Sequence, residues 1–182
     1  MKTIAVFGSA VPKPEEMDYQ HAYELGRALC ASGYQVMTGG YSGVMEAVSK
    51  GGCEVGGHVI GVTTALFDAT RPNGANQWVK QEIKYLTLRE RLIHMIVEPD
   101  GYVAMPGGLG TLNELVMVWE LMRVDDIPRR PLICYGQYWE RMLANFVESP
   151  YIQPTFWDLL TFADTPEEAV AALDGWQNGS KS

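Results

Sequence analysis

The sequence lacks long hydrophobic runs, paired cysteines and clustered histidines. No stretch approaches the roughly 18 consecutive apolar residues of a membrane-spanning helix, so we expect no membrane contact. The three cysteines, Cys30, Cys53 and Cys134, lie far apart and outside any C-x-x-C pair, which disfavours a disulfide framework or a zinc knuckle. The three histidines are equally scattered, and the sequence therefore predicts no metal site.

Basic residues are also scarce. The chain has 14 lysines and arginines against 22 aspartates and glutamates, which gives a net charge of -8. This balance argues against a general nucleic-acid binder, because such a protein presents a basic face. The sequence therefore predicts a small-molecule partner rather than a nucleic-acid polymer.

The 182 residues are 47% hydrophobic, enough for a sizeable core. This length suits one domain over 1–182, with the polar residues 176–182 predicted as a flexible tail. The apolar run within Met1–Gly8 is short, and we interpret it as a first strand rather than a secretory segment. Together with cysteines expected to stay reduced, this favours a cytoplasmic location.

Short β-rich runs alternate with longer amphipathic runs along the chain. The predicted strands are Lys2–Phe7, Tyr34–Thr38, His58–Val62, Gln81–Leu86, Tyr102–Met105 and Leu132–Tyr135. The predicted helices are Glu15–Ala31, Val44–Lys50, Leu88–Glu98, Thr111–Arg123, Tyr138–Val147 and Pro166–Leu173. This alternation indicates an α/β fold built from βαβ units on a parallel sheet. The aromatic segment Tyr151–Phe162 is either part of the core or a lid.

Three glycine-containing turns, at Gly8, Gly39–Gly43 and Gly107–Gly110, each follow a predicted strand. We expect them to meet at the sheet edge where α/β proteins bind ligands. Neither common nucleotide fingerprint is present, since Asn113 stands where the G-x-G-x-x-G pattern needs its third glycine and no Gly-Lys dipeptide occurs. The last turn still precedes a helix N-terminus, so it is either a phosphate cradle or simply a tight turn.

Glu114 has two interpretations. The run Thr111-Leu112-Asn113-Glu114 fits the S/T-x-x-E capping box, a structural role. However, the helix around it is apolar on almost every side, which predicts that the sheet covers one face and a second subunit the other. Glu114 would then lie in a low-dielectric pocket, where a carboxylate needs a partner or acquires a shifted pKa.

Arg91 is the candidate partner. It lies at the shoulder of the apolar stripe in the predicted helix Leu88–Glu98, where its guanidinium would hold a phosphate or carboxylate at a pocket wall. The alternative is a surface arginine paired with Glu90 or Glu98.

The segment Pro106–Glu114 resembles the PGGxGTxxE signature of the Lonely Guy (LOG) family. Further matches are Phe7-Gly8-Ser9, the loop Gly39–Met45 and Glu90-Arg91, so that the resemblance covers about residues 1–147. It implies a Rossmann-like doubly wound parallel sheet with flanking helices, and a homodimer with the active site near the interface. Characterised members are cytokinin riboside 5′-monophosphate phosphoribohydrolases, and members have also been labelled possible lysine decarboxylases.

The resemblance implies that Arg91 and Glu114 are the catalytic pair of an enzyme that hydrolyses the N-glycosidic bond of a purine nucleoside 5′-monophosphate without a cofactor. Glu114 would stabilise the oxocarbenium-like sugar or activate water, while Arg91 positions the nucleotide and helps the purine to leave. The glycine turns would hold the 5′-phosphate. The expected substrate-binding residues are Gly8, Ser9, Gly40, Glu90, Gly107, Gly108, Gly110 and Thr111.

Two departures from the family leave the base open. The second family signature is approximately M-H-E-R-K, where this chain has Leu88-Arg89-Glu90-Arg91-Leu92, and the first loop has Phe7 where many members have cysteine. The substrate is therefore a cytokinin riboside 5′-monophosphate, AMP or a modified purine nucleotide. The alternative function is a sensor or scaffold that binds a nucleotide without cleaving it. Lysine decarboxylation would need pyridoxal phosphate on a lysine, and none of the six lysines lies in a recognisable site.

Overall fold

The computed structural model describes residues 1–71 and 74–178. Its strands are β1 (Thr3–Phe7), β2 (Gln35–Thr38), β3 (Val59–Thr64), β4 (Gln81–Tyr85), β5 (Gly101–Ala104), β6 (Leu132–Tyr135) and β7 (Leu160–Ala163). Its helices are α1 (Met17–Ala31), α2 (Val44–Glu54), α3 (Leu88–Val97), α4 (Leu109–Arg123), α5 (Gln137–Val147), α6 (Pro154–Trp157) and α7 (Pro166–Asn178), with a short 3₁₀ turn over Ala65–Phe67.

All strand pairs are parallel, and the strand order is β4-β3-β2-β1-β5-β6-β7. A parallel sheet is covered on both faces, which is why β1 is buried throughout its length. Ile4 and Val6 of β1 point to the layer formed by α1, α2 and α7, while Ala5 and Phe7 point to the layer formed by α3, α4 and α5. The α/β class and the doubly wound parallel sheet predicted from the sequence are confirmed.

The chain leaves β1 towards one face of the sheet and β5 towards the other, although the two strands are neighbours. The strand order therefore reverses between β1 and β5. In an open α/β sheet, this reversal opens a crevice at the carboxyl ends of the two strands, and ligands bind there. The fold thus places the turns after β1 and β5 at a ready-made binding position.

Several segments differ from the sequence prediction. Helix α2 continues to Glu54 instead of ending at Lys50. The chain forms a seventh strand, β7, from the end of the segment Tyr151–Phe162 to Ala163, where it pairs with β6 and extends the sheet. Helix α4 begins two residues earlier than predicted, at Leu109. Helix α7 continues to Asn178 and so includes the first residues of the predicted tail 176–182, of which 179–182 lie outside the described residues.

Within 1–71 and 74–178, the structure has no helix that is both long enough and apolar enough to cross a membrane.

Candidate active site

The three glycine turns meet at the crevice between β1 and β5, as predicted. The amide of Ser9 donates a hydrogen bond to the carbonyl of Pro106 (3.2 Å), and the amide of Val44 donates to the carbonyl of Ser9 (2.8 Å). A Cβ atom on Gly8 would lie 2.3 Å from the Val44 side chain, so only glycine permits this approach. Together the turns frame a cleft of about 300 Å³.

The N-terminus of α4 opens onto this cleft. Gly108 is the N-cap residue, and no side chain caps the helix. The first backbone N–H groups of a helix have no partner within it, and the helix dipole adds positive potential there, so an anion is the natural occupant. Gly108, Gly110 and Thr111 all line the cleft. The start of α4 therefore has the properties of the predicted phosphate cradle.

The capping-box interpretation of Glu114 is wrong. Because α4 begins at Leu109, Thr111 is the third residue of the helix rather than its N-cap, and Glu114 lies more than one turn inside. Its carboxylate points into the cleft with only 12% of its side chain exposed. The backbone does not use this carboxylate, which leaves it available to a ligand.

Glu114 and Arg91 face each other across the cleft. The Glu114 Oε1 and Arg91 Nη1 atoms are 3.8 Å apart, and the Arg91 side chain is 8% exposed. Burial raises the pKa of Glu114 to about 7, although the guanidinium of Arg91 opposes the shift. Burial also lowers the pKa of Arg91, an effect that the Glu114 carboxylate opposes. A carboxyl group that changes its charge near neutral pH inside a cleft is typical of an acid–base residue.

Arg91 is held in place on two sides, which excludes the surface-arginine alternative. Its Nε donates a hydrogen bond to the carbonyl of Val62 in β3 (2.7 Å). On the other side, a Cβ on Gly39 would lie 2.0 Å from Arg91 Nη2, so glycine at the end of β2 provides the space for the guanidinium. The Nη1 atom of Arg91 faces the Glu114 carboxylate.

Of the predicted substrate-binding residues, five line the cleft and three do not. Those in the lining are Gly8, Ser9, Gly108, Gly110 and Thr111. Gly107 supports the cradle from behind, since a Cβ there would lie 2.2 Å from the hydroxyl oxygen of Thr111. Gly40 adopts a positive φ of 78° and packs against Thr63, and its amide donates to the Thr38 hydroxyl (3.1 Å). Both glycines shape the turns rather than the cleft wall.

Glu90 has a structural role instead of the predicted one. Its exposed carboxylate accepts hydrogen bonds from the amide (2.9 Å) and the hydroxyl (2.8 Å) of Thr87, while the Glu90 amide donates to the Thr87 hydroxyl (3.2 Å). These bonds form a complete capping box at the start of α3. Glu90 therefore fixes the helix that carries Arg91 and does not reach the cleft.

The cleft also contains residues that the sequence did not single out. Phe67 and Arg71, from the chain after β3, form one wall together with Met45, Leu88 and Met95. Arg71 carries a positive charge, so among these residues it is the one that can donate hydrogen bonds to a ligand in the cleft. No periodicity or motif marks the segment from which it comes.

A second hollow, of about 350 Å³, lies beside α4 and is lined by aromatic side chains that include Trp119, Phe146 and Phe156. The charged residues of its lining, Glu120 and Arg123, pair with each other at the surface with an Nε–Oε2 distance of 2.6 Å. The buried opposite charges lie in the cleft at β1 and β5, so the chemistry is assigned to that cleft. Across the described ranges, no three His, Cys, Asp or Glu side chains come together as a metal site would require.

The fold and the cleft define a Rossmann-like α/β protein with an uncapped, glycine-rich helix N-terminus and a buried glutamate–arginine pair beside it. Residues 45–173 match the family described as possible lysine decarboxylase. The cytokinin riboside 5′-monophosphate phosphoribohydrolase LOG3 of Arabidopsis thaliana is 31% identical over 182 residues, which cover 95% of this chain and 82% of the relative. The chain belongs to the LOG family.

Two further proteins show how far the likeness extends. The cytokinin riboside 5′-monophosphate phosphoribohydrolase of Mycobacterium tuberculosis is 27% identical, with 93% of this chain and 92% of the relative covered. The molybdenum cofactor binding protein from Rippkaea orientalis superimposes with a TM-score of 0.75 over 96% of both chains at 22% identity. The second likeness concerns the fold alone.

Proposed function

We propose that this protein hydrolyses the N-glycosidic bond of a purine nucleoside 5′-monophosphate to free base and ribose 5-phosphate. The observation that carries the proposal is the Glu114 carboxylate, buried 3.8 Å from the Arg91 guanidinium beside the open N-terminus of α4. Cleft volume agrees with this substrate class, since about 300 Å³ is at the lower end of the range for small-molecule sites.

The 5′-phosphate binds at the start of α4. Gly108, Gly110 and Thr111 supply backbone N–H groups there, and the helix dipole favours the negative charge. Because the phosphate does not react, its binding energy orients the sugar towards Glu114. Such positioning contributes several kcal/mol to the lowering of a reaction barrier.

Glu114 acts on the sugar. Cleavage of an N-glycosidic bond passes through a sugar with oxocarbenium character, which an adjacent carboxylate stabilises, and a water must reach the anomeric carbon. With its pKa raised by burial to about 7, Glu114 is basic enough to take a proton from this water. One buried carboxylate thus stabilises the positively charged sugar and activates the attacking water.

Arg91 positions the nucleotide and assists the departing purine. Its Nε is bound to Val62, which fixes the plane of the guanidinium while other N–H groups remain available to the ligand. As the base leaves, it gains negative charge, and a fixed guanidinium stabilises that charge without reorganising. Pyridoxal phosphate chemistry, by contrast, has no support, since no lysine lines the described part of this cleft.

The names of the relatives support a cytokinin riboside 5′-monophosphate as substrate, and AMP-like nucleotides fit the same chemistry. The substitutions in Leu88–Leu92, where the family has M-H-E-R-K, leave both within the proposal. The experiment is incubation with AMP, with an N6-substituted AMP and with IMP, followed by detection of free base and ribose 5-phosphate. Binding of nucleotides without product would instead establish a sensor or scaffold, and the proposal would be rejected.

We also propose that the protein is a homodimer that pairs through α3 and α4. Ile93 is 46% exposed and Val116 40% exposed on these neighbouring helices, and Leu109 at the start of α4 is 84% exposed. A second copy of the chain would remove these apolar side chains from water. Light scattering after size-exclusion chromatography tests this, with a dimer expected for the parent and a monomer for Val116→Glu. A monomeric parent at micromolar concentration contradicts it.

A further inference from the structure

Arg71 is the second cation of the cleft, and the structure holds it between two aromatic rings. Its guanidinium carbon lies 4.3 Å from the ring centroid of Tyr41 and 4.8 Å from that of Phe67. Tyr41 is itself fixed, because its hydroxyl accepts a hydrogen bond from the amide of Thr64 (2.9 Å) and donates to the carbonyl of the same residue (3.2 Å). The rings therefore restrict where the Arg71 side chain can lie.

The charge on Arg71 is not neutralised within the described chain. Neither an ion pair nor a hydrogen bond joins Arg71 to a carboxylate among residues 1–71 and 74–178. The electrostatic influence of Arg71 reaches Arg91, whose pKa it helps to lower. The cleft thus contains two guanidinium groups against the single carboxylate of Glu114, which favours a ligand that offers hydrogen-bond acceptors to both arginines.

The order of the strands brings Arg71 into the cleft from the β3 side, away from the phosphate cradle. The cradle follows β1 and β5, while Phe67 and Arg71 follow β3. Strands β2 and β1 separate β3 from β5, and the guanidinium of Arg71 reaches the Tyr41 ring beside β2, where the guanidinium carbon of Arg91 lies 5.9 Å from the same ring centroid. Arg91 lies between the cradle and Arg71, against Gly39 at the end of β2.

A nucleotide with its phosphate on α4 and its ribose at Glu114 and Arg91 therefore extends its base towards Arg71. We infer that Arg71 binds the purine base and determines which bases are accepted. This inference rests on the proposed function. It concerns the base of the nucleotide, whose identity the proposed function left open. The guanidinium provides N–H donors and no acceptor.

The donor character of Arg71 gives the expected preference. A 6-oxopurine presents two acceptors, O6 and N7, on one edge, and this edge matches the two-pronged guanidinium. A 6-aminopurine presents only N7 there, next to an amino group that is itself a donor. The cleft is therefore expected to bind IMP more tightly than AMP.

The test is a titration with ribose 5-phosphate, AMP and IMP. All variants carry Glu114→Gln, which slows turnover by about 10²–10⁴ so that binding is measured before much ligand is consumed. In this background Arg71 is changed to Gln, which removes the charge, and to Lys, which keeps the charge but not the fork. The matched control is Arg89→Gln, because Arg89 is an exposed arginine of α3 outside the cleft lining.

With Arg71 intact, IMP is expected to bind at least fivefold more tightly than AMP. Arg71→Gln should weaken IMP binding at least tenfold, abolish the preference for IMP and leave the Kd of ribose 5-phosphate within twofold. Arg71→Lys should also lose the preference, while Arg89→Gln should change nothing. Unchanged binding of ribose 5-phosphate also shows that the variant cleft is still folded.

Two results would overturn the inference. Equal weakening of ribose 5-phosphate and of the nucleotides would place Arg71 at the phosphate, and unchanged nucleotide binding would remove it from the ligand. A failure of the proposed function looks different, because it appears as absent product in the parent protein whatever these titrations give.

Discussion

The two helices that carry the glutamate and the arginine have almost the same tetrapeptide near their N-termini but use it differently. Helix α3 is preceded by Thr87 and reads Thr-Leu-Arg-Glu up to Glu90, whereas α4 contains Thr111-Leu112-Asn113-Glu114. In α3, Thr87 and Glu90 satisfy each other's backbone groups in a capping box. In α4, the helix has already begun at Leu109, and Glu114 turns to Arg91 instead.

The difference lies in what precedes each tetrapeptide. The backbone of α4 turns at Gly107 and Gly108, and the helix starts before the threonine is reached. Its first N–H groups therefore stay uncapped by any side chain, and an anion can bind them. Stability at the start of α3 is local and independent of a ligand, while we propose that the substrate binds the uncapped start of α4.

The largest expected effect is on catalysis by Glu114. Glu114→Gln keeps the shape of the side chain but removes its negative charge and its basicity, so kcat should fall by about 10²–10⁴. Glu90→Gln, the matched change in the capping box, should leave kcat within twofold. Ribose 5-phosphate release by the two variants and the parent is the measurement. Equal losses in both variants would show that the two tetrapeptides do not differ in function.

The second prediction concerns the position of Arg91. Gly39→Ala places a methyl group where the guanidinium lies, because the new Cβ would be 2.0 Å from Nη2. A displacement of about 1 Å costs on the order of 10²-fold in rate. Steady-state kinetics measure this loss. Gly175→Ala is the control, since a Cβ at Gly175 in α7 meets nothing within 4 Å; a Gly39→Ala enzyme with parental kcat/KM would show that Arg91 need not stay where it is.

The third prediction is a pH dependence. If the ionised carboxylate of Glu114 is the active form, kcat/KM falls about tenfold for each pH unit below the pKa and levels off above it. That pKa is about 7, so the profile should rise between pH 5 and pH 7 and flatten towards pH 8. If kcat/KM stays constant or falls between pH 5 and pH 8, a group other than the Glu114 carboxylate controls the pH dependence.

The smallest effect is expected on folding stability at α3. Thr87→Ala removes both hydrogen bonds of the Thr87 hydroxyl, one of which caps the Glu90 amide, and should lower the free energy of unfolding by about 1 kcal/mol. Urea denaturation measures this change, with Arg89→Gln as a neighbour that makes no capping bond. An unchanged free energy of unfolding in Thr87→Ala would show that the capping box does not stabilise the folded protein.

Much of the fold was predictable because long segments with a regular hydrophobic period form the helix or strand that this period indicates. Six strands and the helices between them appear within a few residues of the predicted bounds. Strand β7 (Leu160–Ala163) was missed because it follows the short helix α6 closely. The aromatic residues of this segment show no change of hydrophobic period that would separate the helix from the strand. Its existence depends on pairing with β6, which is a tertiary effect.

The candidate site was predictable only in part, for a physical reason. Glu114 stood out as an ionisable group inside an otherwise apolar helix, whereas Arg91 was selected by its place at the shoulder of an apolar stripe and by the resemblance to the LOG signatures. Glu90 was predicted to bind the ligand because it is next to Arg91 in the family motif. Adjacency in sequence, however, does not determine the direction of a side chain. Arg71 was missed because its place in the cleft depends on rings contributed by Tyr41 and Phe67, which only the folded chain brings together.

The most direct test of the central claim is a crystal structure of Glu114→Gln with a purine nucleoside 5′-monophosphate. The phosphate oxygens are predicted to lie about 2.7–3.2 Å from the backbone nitrogens of Gly110 and Thr111, with the anomeric carbon next to the side chain of residue 114 and the base on the Arg91 side. A nucleotide that lies elsewhere, or one whose base occupies the start of α4, would contradict the account.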